Sequence, residues 1–252
     1  MDDYALKAAL VILRAAQRIA ILSGAGASKE SGVPTFRDAM DGLWAKYDPT
    51  QLATPQAFRA NPRLVWEWYA YRRDLVRQAR PNPGHYALAQ LQHLRPQTVL
   101  VTQNVDELHE QAGSHQVIHL HGRIFQTKCF ADCRGSPTLV DEDALPPTEV
   151  VPPPCPHCGA PLRPNVVWFN EALPIEALQR AYDAFATCDL ALVVGTSGLV
   201  HPAAGLPYLA KQRGVPLIEV NPHESAITHQ SDIWLDAPAG EVLPRLLEGL
   251  RA

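Results

Sequence analysis

No stretch of the 252-residue chain approaches the ~20 consecutive apolar residues that span a bilayer; the apolar run Leu10 to Leu13 already stops at Arg14. A secretory leader is not expected either, because Met1-Asp2-Asp3 is acidic where such a segment carries positive charge. Basic residues are too few for a surface that grips the phosphate backbone of a nucleic acid. With 22 Lys and Arg against 26 Asp and Glu the net charge is −4, so counterion release gives no drive toward nucleic acid. The expectation is a cytoplasmic chain with no membrane and no direct nucleic-acid partner, and a monomer. Cysteine is scarce, with five residues, and in a reducing compartment closely spaced cysteines bind metal more readily than they form disulfides. Internal repeats and low-complexity tails are absent. What the chain does have is 46% hydrophobic residues, enough for one large domain carrying a smaller insert.

Apolar patterning gives the expected elements. Asp3 to Arg18 has helical spacing, and Ile19 to Leu22 reads as a short buried strand. A helix is expected from Asn61 to Arg80, capped by Asn61 with Pro62 in the first turn, and another from Pro83 to Leu94. Thr98–Thr102, Leu190–Val194 and Pro216–Val220 are continuous apolar runs of the kind found in parallel sheets covered on both faces, with helical patterns at Ile175–Ala186 and Ala203–Arg213. The alternation predicts an α/β fold: a Rossmann-like, doubly wound parallel sheet with a smaller inserted zinc-binding module. The expected division is residues 1–122 and 165–252 for the nucleotide-binding domain, including a helical segment about 39–80, and 123–164 for the module. Between Arg123 and Pro164 the rhythm fails as Pro146, Pro147, Pro152, Pro153, Pro154, Pro156 and Pro161 crowd in. A stretch this long without regular structure needs something else to hold it.

The holding group is legible. Cys129 and Cys133, then Cys155 and Cys158, form two short bites that suit two knuckles around one zinc ion. With sulfur in all four positions no site remains for water, so a structural ion is expected. His157 is expected as a solvated loop residue, and Cys188 as a buried residue at a strand edge. Gly24-Ala25-Gly26-Ala27-Ser28 opens a strand-to-helix turn that could hold a pyrophosphate. The fingerprint is incomplete, since Lys29 stands at its third glycine and no acidic ribose partner follows, so a tight structural turn is an equal alternative. Gly195-Thr196-Ser197 again follows a buried strand, and Asn221 ends the next one. Thr102-Gln103-Asn104-Val105-Asp106 is a polar cluster just after a core strand, where either Asn104 or Asp106 could instead cap a helix. On an expected strand Val117–His121, His119 and His121 share a face, and an imidazole there suits a general base or a purely structural role. On the helix 61–80, positions 65, 68, 69, 72 and 76 share one face, apolar except for Tyr69 and Arg72. At i and i+3 these two could converge on one anionic ligand, or Arg72 could pair with a protein carboxylate or reach solvent.

Gly24–Ser28 together with Glu30-Ser31-Gly32-Val33-Pro34-Thr35-Phe36-Arg37 resembles the signature of the sirtuins, the NAD-dependent protein deacylases. Thr102–Asp106, His121-Gly122, the four cysteines, Val167-Trp168-Phe169, Gly195–Ser197 and Asn221 resemble the family's further motifs in order, across nearly the whole chain. Val105 replaces the usual isoleucine, and Asn170 stands where a glycine commonly precedes the glutamate, here Glu171. The resemblance implies an acyl-lysine meeting NAD in a cleft between the α/β domain and the zinc module. The acyl oxygen would attack the nicotinamide ribose and release nicotinamide, with His121 then deprotonating a ribose hydroxyl so that the acyl group moves to ADP-ribose. Gln103, Asn104 and Asp106 would hold ribose and nicotinamide. The stretches Gly24, Ala25, Gly26, Ala27, Ser28 and Gly195, Thr196, Ser197 would cradle phosphates and ribose. Thr35, Phe36 and Arg37 would steady the cofactor, and Asn221 and Ala239 would face adenosine. Val167, Trp168, Phe169 and Val200 would meet the acylated peptide. Tyr69 with Arg72 also looks like the acyl-recognition pair of the subgroup that removes succinyl and malonyl groups, and Ala39 resembles the small residue that widens its pocket. The implied activity is removal of acetyl and negatively charged acyl groups; mono-ADP-ribosyl transfer, or non-catalytic sensing of NAD or ADP-ribose, are the alternatives.

Overall fold

The computed structural model describes residues 2–34 and 47–251. In chain order its helices and strands begin with α1 (Asp3–Ala15), β1 (Ile19–Ser23), α2 (Gly26–Lys29), α3 (Pro49–Leu52), α4 (Pro55–Ala60), α5 (Pro62–Gln78) and α6 (Pro83–Leu94). There follow β2 (Val99–Thr102), α7 (Leu108–Gln111), β3 (Ile118–His119), β4 (Gly122–Cys129), β5 (Leu139–Val140) and β6 (Leu162–Val166). The chain ends with α8 (Ile175–Thr187), β7 (Leu190–Val194), α9 (Leu206–Gln212), β8 (Leu217–Val220), β9 (Ile233–Leu235) and α10 (Ala239–Arg251). Two compact units result. One comprises Met1–Thr35, Ala79–Leu120 and Pro174–Ala252; the other comprises Phe36–Gln78 and His121–Leu173, so α5 belongs to the second.

In the first unit, β1 and β7 are buried along their whole length because every residue from Ile19 to Leu22 and from Leu190 to Val194 is apolar. They pair in parallel, Ile19 with Leu190 through Ser23 with Val194, at the centre of a sheet ordered β3-β2-β1-β7-β8-β9. All its pairings are parallel. Chain order therefore runs outward in both directions from the β1–β7 seam, the doubly wound pattern whose reversal point opens a crevice at the carboxyl ends of the strands. Helices close the sheet with narrow apolar stripes: Leu6, Ala9 and Leu13 of α1, and Val242, Leu243, Leu246 and Leu247 of α10, enter one core with Ile21, Leu100, Leu192 and Ile218. Asn82 caps α6 by accepting from the backbone of Gly84 and His85, with Pro83 in the first turn. β9 and α10 have no counterpart among the elements expected from the sequence. β9 contributes three residues, too few for a periodic signal.

The second unit corrects the expectation of an irregular, proline-broken stretch. β5, β4 and β6 form an antiparallel sheet in that order, and its register shifts between Arg123 and Thr127, where Thr127 pairs with Pro164. A proline cannot donate to a ladder, and an irregularity in pairing is where a strand tolerates one. Leu162, Cys129 and Cys155 make a small core with Trp66, Val140 and Leu145 against it. On α5 the expected stripe is buried, with Arg73 added: Val65, Trp68, Tyr69, Arg72 and Val76 all face inward. Arg73 is neutralised by Glu142 at 2.7 Å and donates to the carbonyl of Ile124. Among the described residues no helix is long and apolar enough to cross a membrane.

Candidate functional site

The loops at the carboxyl ends of β1 and β7 touch through their backbones. Gly24 donates to the Val194 carbonyl at 2.9 Å and Gly26 to the Gly195 carbonyl at 2.8 Å. A Cβ on Gly24 would lie 2.7 Å from that of Thr196, and one on Gly195 would lie 2.4 Å from the Ala27 nitrogen. Gly195 also has φ +59, the left-handed region that costs other residues roughly 1–2 kcal/mol. These are the positions where the sequence carries glycine. Strand-end side chains knit the neighbouring loops: Gln103, after β2, donates to Thr196 Oγ1 at 2.8 Å, and Asn221, after β8, donates to the Thr196 carbonyl at 2.9 Å. Ala226 donates to the Ser197 carbonyl, while Ala25 is exposed and Ala239 begins α10 as a buried residue.

Beneath the first loop lies a buried polar network. Ser28 Oγ donates to Asp106 Oδ2 and accepts from Asn104 Nδ2, both at 3.0 Å. Asp106 uses its other oxygen to accept from the Leu108 backbone at 3.1 Å, so it closes the turn just before α7 and holds Ser28 at once. Burial pushes the Asp106 carboxyl above its ordinary pKa, an effect opposed by those two hydrogen bonds. Two histidines complete the network. His85 Nδ1 accepts from the Asn82 backbone at 3.2 Å, which leaves the ring proton on Nε2, 3.4 Å from Ser28 Oγ. His109 Nε2 lies 2.9 Å from Ser23 Oγ, which donates to Thr102 Oγ1 at 2.8 Å. Burial lowers the His85 pKa to about 4 and that of His109 to about 3, so both rings are neutral at physiological pH. Asn82 adds a clamp, donating to the Ala27 carbonyl and to Ser31 Oγ, and Glu30 accepts from the Gly240 backbone at the start of α10.

His119 and His121 do not share a strand face. β3 closes at His119, whose ring is buried between Glu110, at 2.7 Å, and the Asn104 carbonyl, at 3.2 Å. His121 is partly exposed in the bend that follows, and its carbonyl accepts from Val167 at 2.9 Å. The second unit thus holds His121 beside the segment Val167–Phe169. There Phe169 donates to the Ala53 carbonyl and keeps an exposed ring, and Trp168 is buried. Asn170 has φ +68, which accounts for glycine being common at such a position and for asparagine being tolerated. Tyr69 and Arg72 are buried side by side on α5, with the Arg72 guanidinium 5.3 Å from the Trp68 ring centre. Burial pushes the Tyr69 hydroxyl up to about 12 and lowers Arg72 from its ordinary value. Val200, in the first unit, accepts from Ala204. Thr35, Phe36, Arg37 and Ala39 lie outside the described residues.

Cys129, Cys133, Cys155 and Cys158 bring their sulfurs within 4.8 Å of one another. The Cys129–Cys158 and Cys133–Cys155 distances are 3.6 and 3.9 Å. Four sulfurs ~2.3 Å from one zinc ion define a tetrahedron with edges of roughly 3.8 Å, so the cluster matches a closed structural site. His157 is exposed and outside this cluster, and Cys188 is buried at the end of α8. Sequence reasoning missed Asn82, His85 and His109, and it named Glu30 within a motif without giving it a contact of its own. For two of them a signal existed: Asn82 followed three residues later by His85 is a capping-box spacing with an unusual partner.

Comparison with known proteins agrees with this geometry. Residues 24–202 match the Sir2 family. A protein of Pseudomonas aeruginosa named NAD-dependent protein deacylase 1 is 50% identical over 96% of this chain and 98% of its own. An NAD-dependent protein deacylase of Ralstonia nicotianae is 51% identical over 93% of each. A solved Sir2 homologue in complex with NAD superposes with a TM-score of 0.88 at 44% identity, covering all of this chain and 94% of that one.

Two outcomes follow from the buried groups. The folded histidines bind protons only near pH 4 and 3, whereas unfolded ones do so near 6.5, so stability falls as pH drops below about 6.5. Each ring costs up to about 1.4 kcal/mol per pH unit in that window, and urea melts at pH 7 and pH 5 should show the loss, with a shallower dependence in His109→Gln. Metal analysis should find about one zinc per chain, and Cys155→Ser should lose most of it together with several degrees of thermal midpoint; a zinc-free wild type would refute the site.

Proposed function

The chain belongs to the Sir2 family, and on that premise we propose that it is an NAD-dependent protein-lysine deacylase acting on acetyl and on negatively charged acyl groups such as succinyl and malonyl. The observation that carries the nucleotide part is the meeting of Gly24–Ser28 with Gly195–Ser197 where strand order reverses, with Asn104, Asp106 and Asn221 at the neighbouring strand ends. Turns without Cβ atoms let backbone N–H groups approach a pyrophosphate, so the residues present fit the cofactor. Bound NAD supplies an activated ribose carbon and nicotinamide as its leaving group.

The chain's own residues do the rest. Gly24–Ser28 and Gly195–Ser197 hold phosphates and ribose; Gln103, Asn104 and Asp106 orient the nicotinamide ribose; Thr35, Phe36 and Arg37 steady the cofactor; Asn221 and Ala239 take the adenosine end. Ser28 fixes the Asn104 and Asp106 side chains by one hydrogen bond each, so the pair is organised before any ligand arrives. His121, partly exposed, takes the proton from a ribose hydroxyl, and the acyl group ends on ADP-ribose. Val167, Trp168, Phe169 and Val200 receive the peptide through backbone pairing, which discriminates little among protein substrates. The four cysteines hold the zinc, whose task is to fasten a segment with a small apolar core.

Preference for acidic acyl groups rests on Tyr69 and Arg72. A hydroxyl with its pKa near 12 stays a donor at physiological pH, and a buried guanidinium on the same helix face offers the matching charge for a carboxylate. Nicotinamide release should require both NAD and an acylated peptide, and His121→Ala should cut it by at least ~100-fold with its thermal midpoint retained. Release that ignores the acyl peptide, or survives His121→Ala, would refute the assignment. Arg72→Met should lower kcat/KM on a succinyl peptide at least ~10-fold more than on the acetyl form, because a charge-assisted contact is lost only there. Equal losses would return Arg72 to a structural role.

A further inference from the structure

We propose that Trp168 is a specificity-determining residue that acts through Tyr69, directing the Tyr69 hydroxyl proton toward an acidic acyl group. The inference rests on the reading above, in which Tyr69 and Arg72 receive that group. Trp168 Nε1–H donates to the Tyr69 hydroxyl oxygen at 2.9 Å, between two side chains that are each at most 2% exposed. An indole N–H can only donate, so the hydroxyl must be the acceptor and its own proton must point elsewhere. Tyr69 is a buried hydroxyl, and the bond to Trp168 fixes one side of it. The hydroxyl proton is thereby turned away from Trp168, and in this reading it is donated to a ligand oxygen that Arg72, one turn along the same helix face, also binds. A tyrosine without this bond could turn its proton away and offer a lone pair to an anion, which repels it.

Trp168 is itself held unusually firmly. Its backbone N–H donates to Glu171 Oε2 at 2.8 Å. The same carboxylate grips the Arg163 guanidinium in a bidentate pair, at 2.6 and 3.0 Å. Arg163, 1% exposed, lies over the indole at 3.1 Å from its centre and also donates to the carbonyls of Pro164 and Val166. Phe58 packs a tilted ring 5.2 Å from the indole centre. Arg163 is buried while Glu171 stays partly exposed, and together they hold the indole from its backbone and from its face. Here the series Glu171, Arg163, Trp168, Tyr69 ends at the hydroxyl placed one helical turn from Arg72.

Trp168→Phe removes the N–H and keeps an aromatic ring. With succinyl and acetyl forms of one peptide and saturating NAD, the succinyl-to-acetyl ratio of kcat/KM should fall about tenfold, chiefly through KM for the succinyl peptide. The same ratio in Tyr69→Phe should fall alike, and the double variant should be no worse than Tyr69→Phe alone, because the two residues act as one device. An unchanged ratio, proportional losses on both peptides, or additive losses in the double variant would overturn the proposal. A wild type that turns over no succinyl peptide would overturn it together with the acidic-acyl reading. If Arg72→Met and Tyr69→Phe destroy the ratio while Trp168→Phe spares it, that reading stands and this one falls. Should Trp168→Phe not fold, the 15N–1H indole resonance of Trp168 decides: it should shift in Tyr69→Phe relative to wild type, and an unmoved resonance would overturn the proposal.

Discussion

Backbone contact between the Gly24–Gly26 turn and Gly195 is the constraint on which the loops at the carboxyl ends of the central strands depend. A Cβ on any of the three would come within 2.8 Å of the opposite loop, closer than real Cβ atoms approach anything. Because β1 and β7 are adjacent and parallel, with every register pair from Ile19–Leu190 to Ser23–Val194 in place, their two loops leave the sheet at the same level. Thr196 then becomes a shared post, receiving Gln103 on its hydroxyl and Asn221 on its carbonyl. Four strand ends are thereby locked to one another by hydrogen bonds that each contribute only about 1 kcal/mol.

The two units meet the cost of buried polarity in different ways. Under the first glycine turn the network is built from neutral or singly charged groups, with His85 and His109 held uncharged by burial and Ser28 shared between Asn104 and Asp106. Neutral rings avoid the desolvation that a buried imidazolium would suffer, and they still fix the direction of each hydroxyl proton. In the second unit, buried guanidinium groups are neutralised by carboxylates, Arg163 by Glu171 and Arg73 by Glu142. Such pairs add little net stability but tolerate few alternative arrangements. Trp168, whose backbone N–H also donates to Glu171, is held in one place by the first of these pairs.

The segment between β4 and β6 shows how a fold is held where apolar residues run out. Its apolar cluster has three buried members, two of them cysteines, so burial alone offers little. The sulfurs of Cys129, Cys133, Cys155 and Cys158 gather within 4.8 Å of one another, close enough for one ion to join them, and turns such as Cys155 accepting from Gly159 shape the knuckles. β5 and β6 extend that order on either side of β4, with the irregular register placed opposite Pro164.

The amino-acid pattern alone determined the strands Ile19–Leu22, Leu190–Val194 and Pro216–Val220, the helices over 62–78 and 83–94, the cysteine quartet and the succession of glycine and asparagine motifs. Each of these is written in neighbours a few positions apart, through period, spacing or capping residues. Tertiary structure decided the rest. Strand order, the pairing of β9, the sheet formed within the proline-rich stretch and the close of β3 at His119 depend on contacts that no local period encodes. The partners of Tyr69 and Ser28 were equally invisible, since Trp168 lies 99 positions from the first, and Asn104 and Asp106 lie 76 and 78 from the second. A hydrogen bond between side chains so far apart exists only once the chain has closed the loop between them, so it leaves no periodic trace in the sequence.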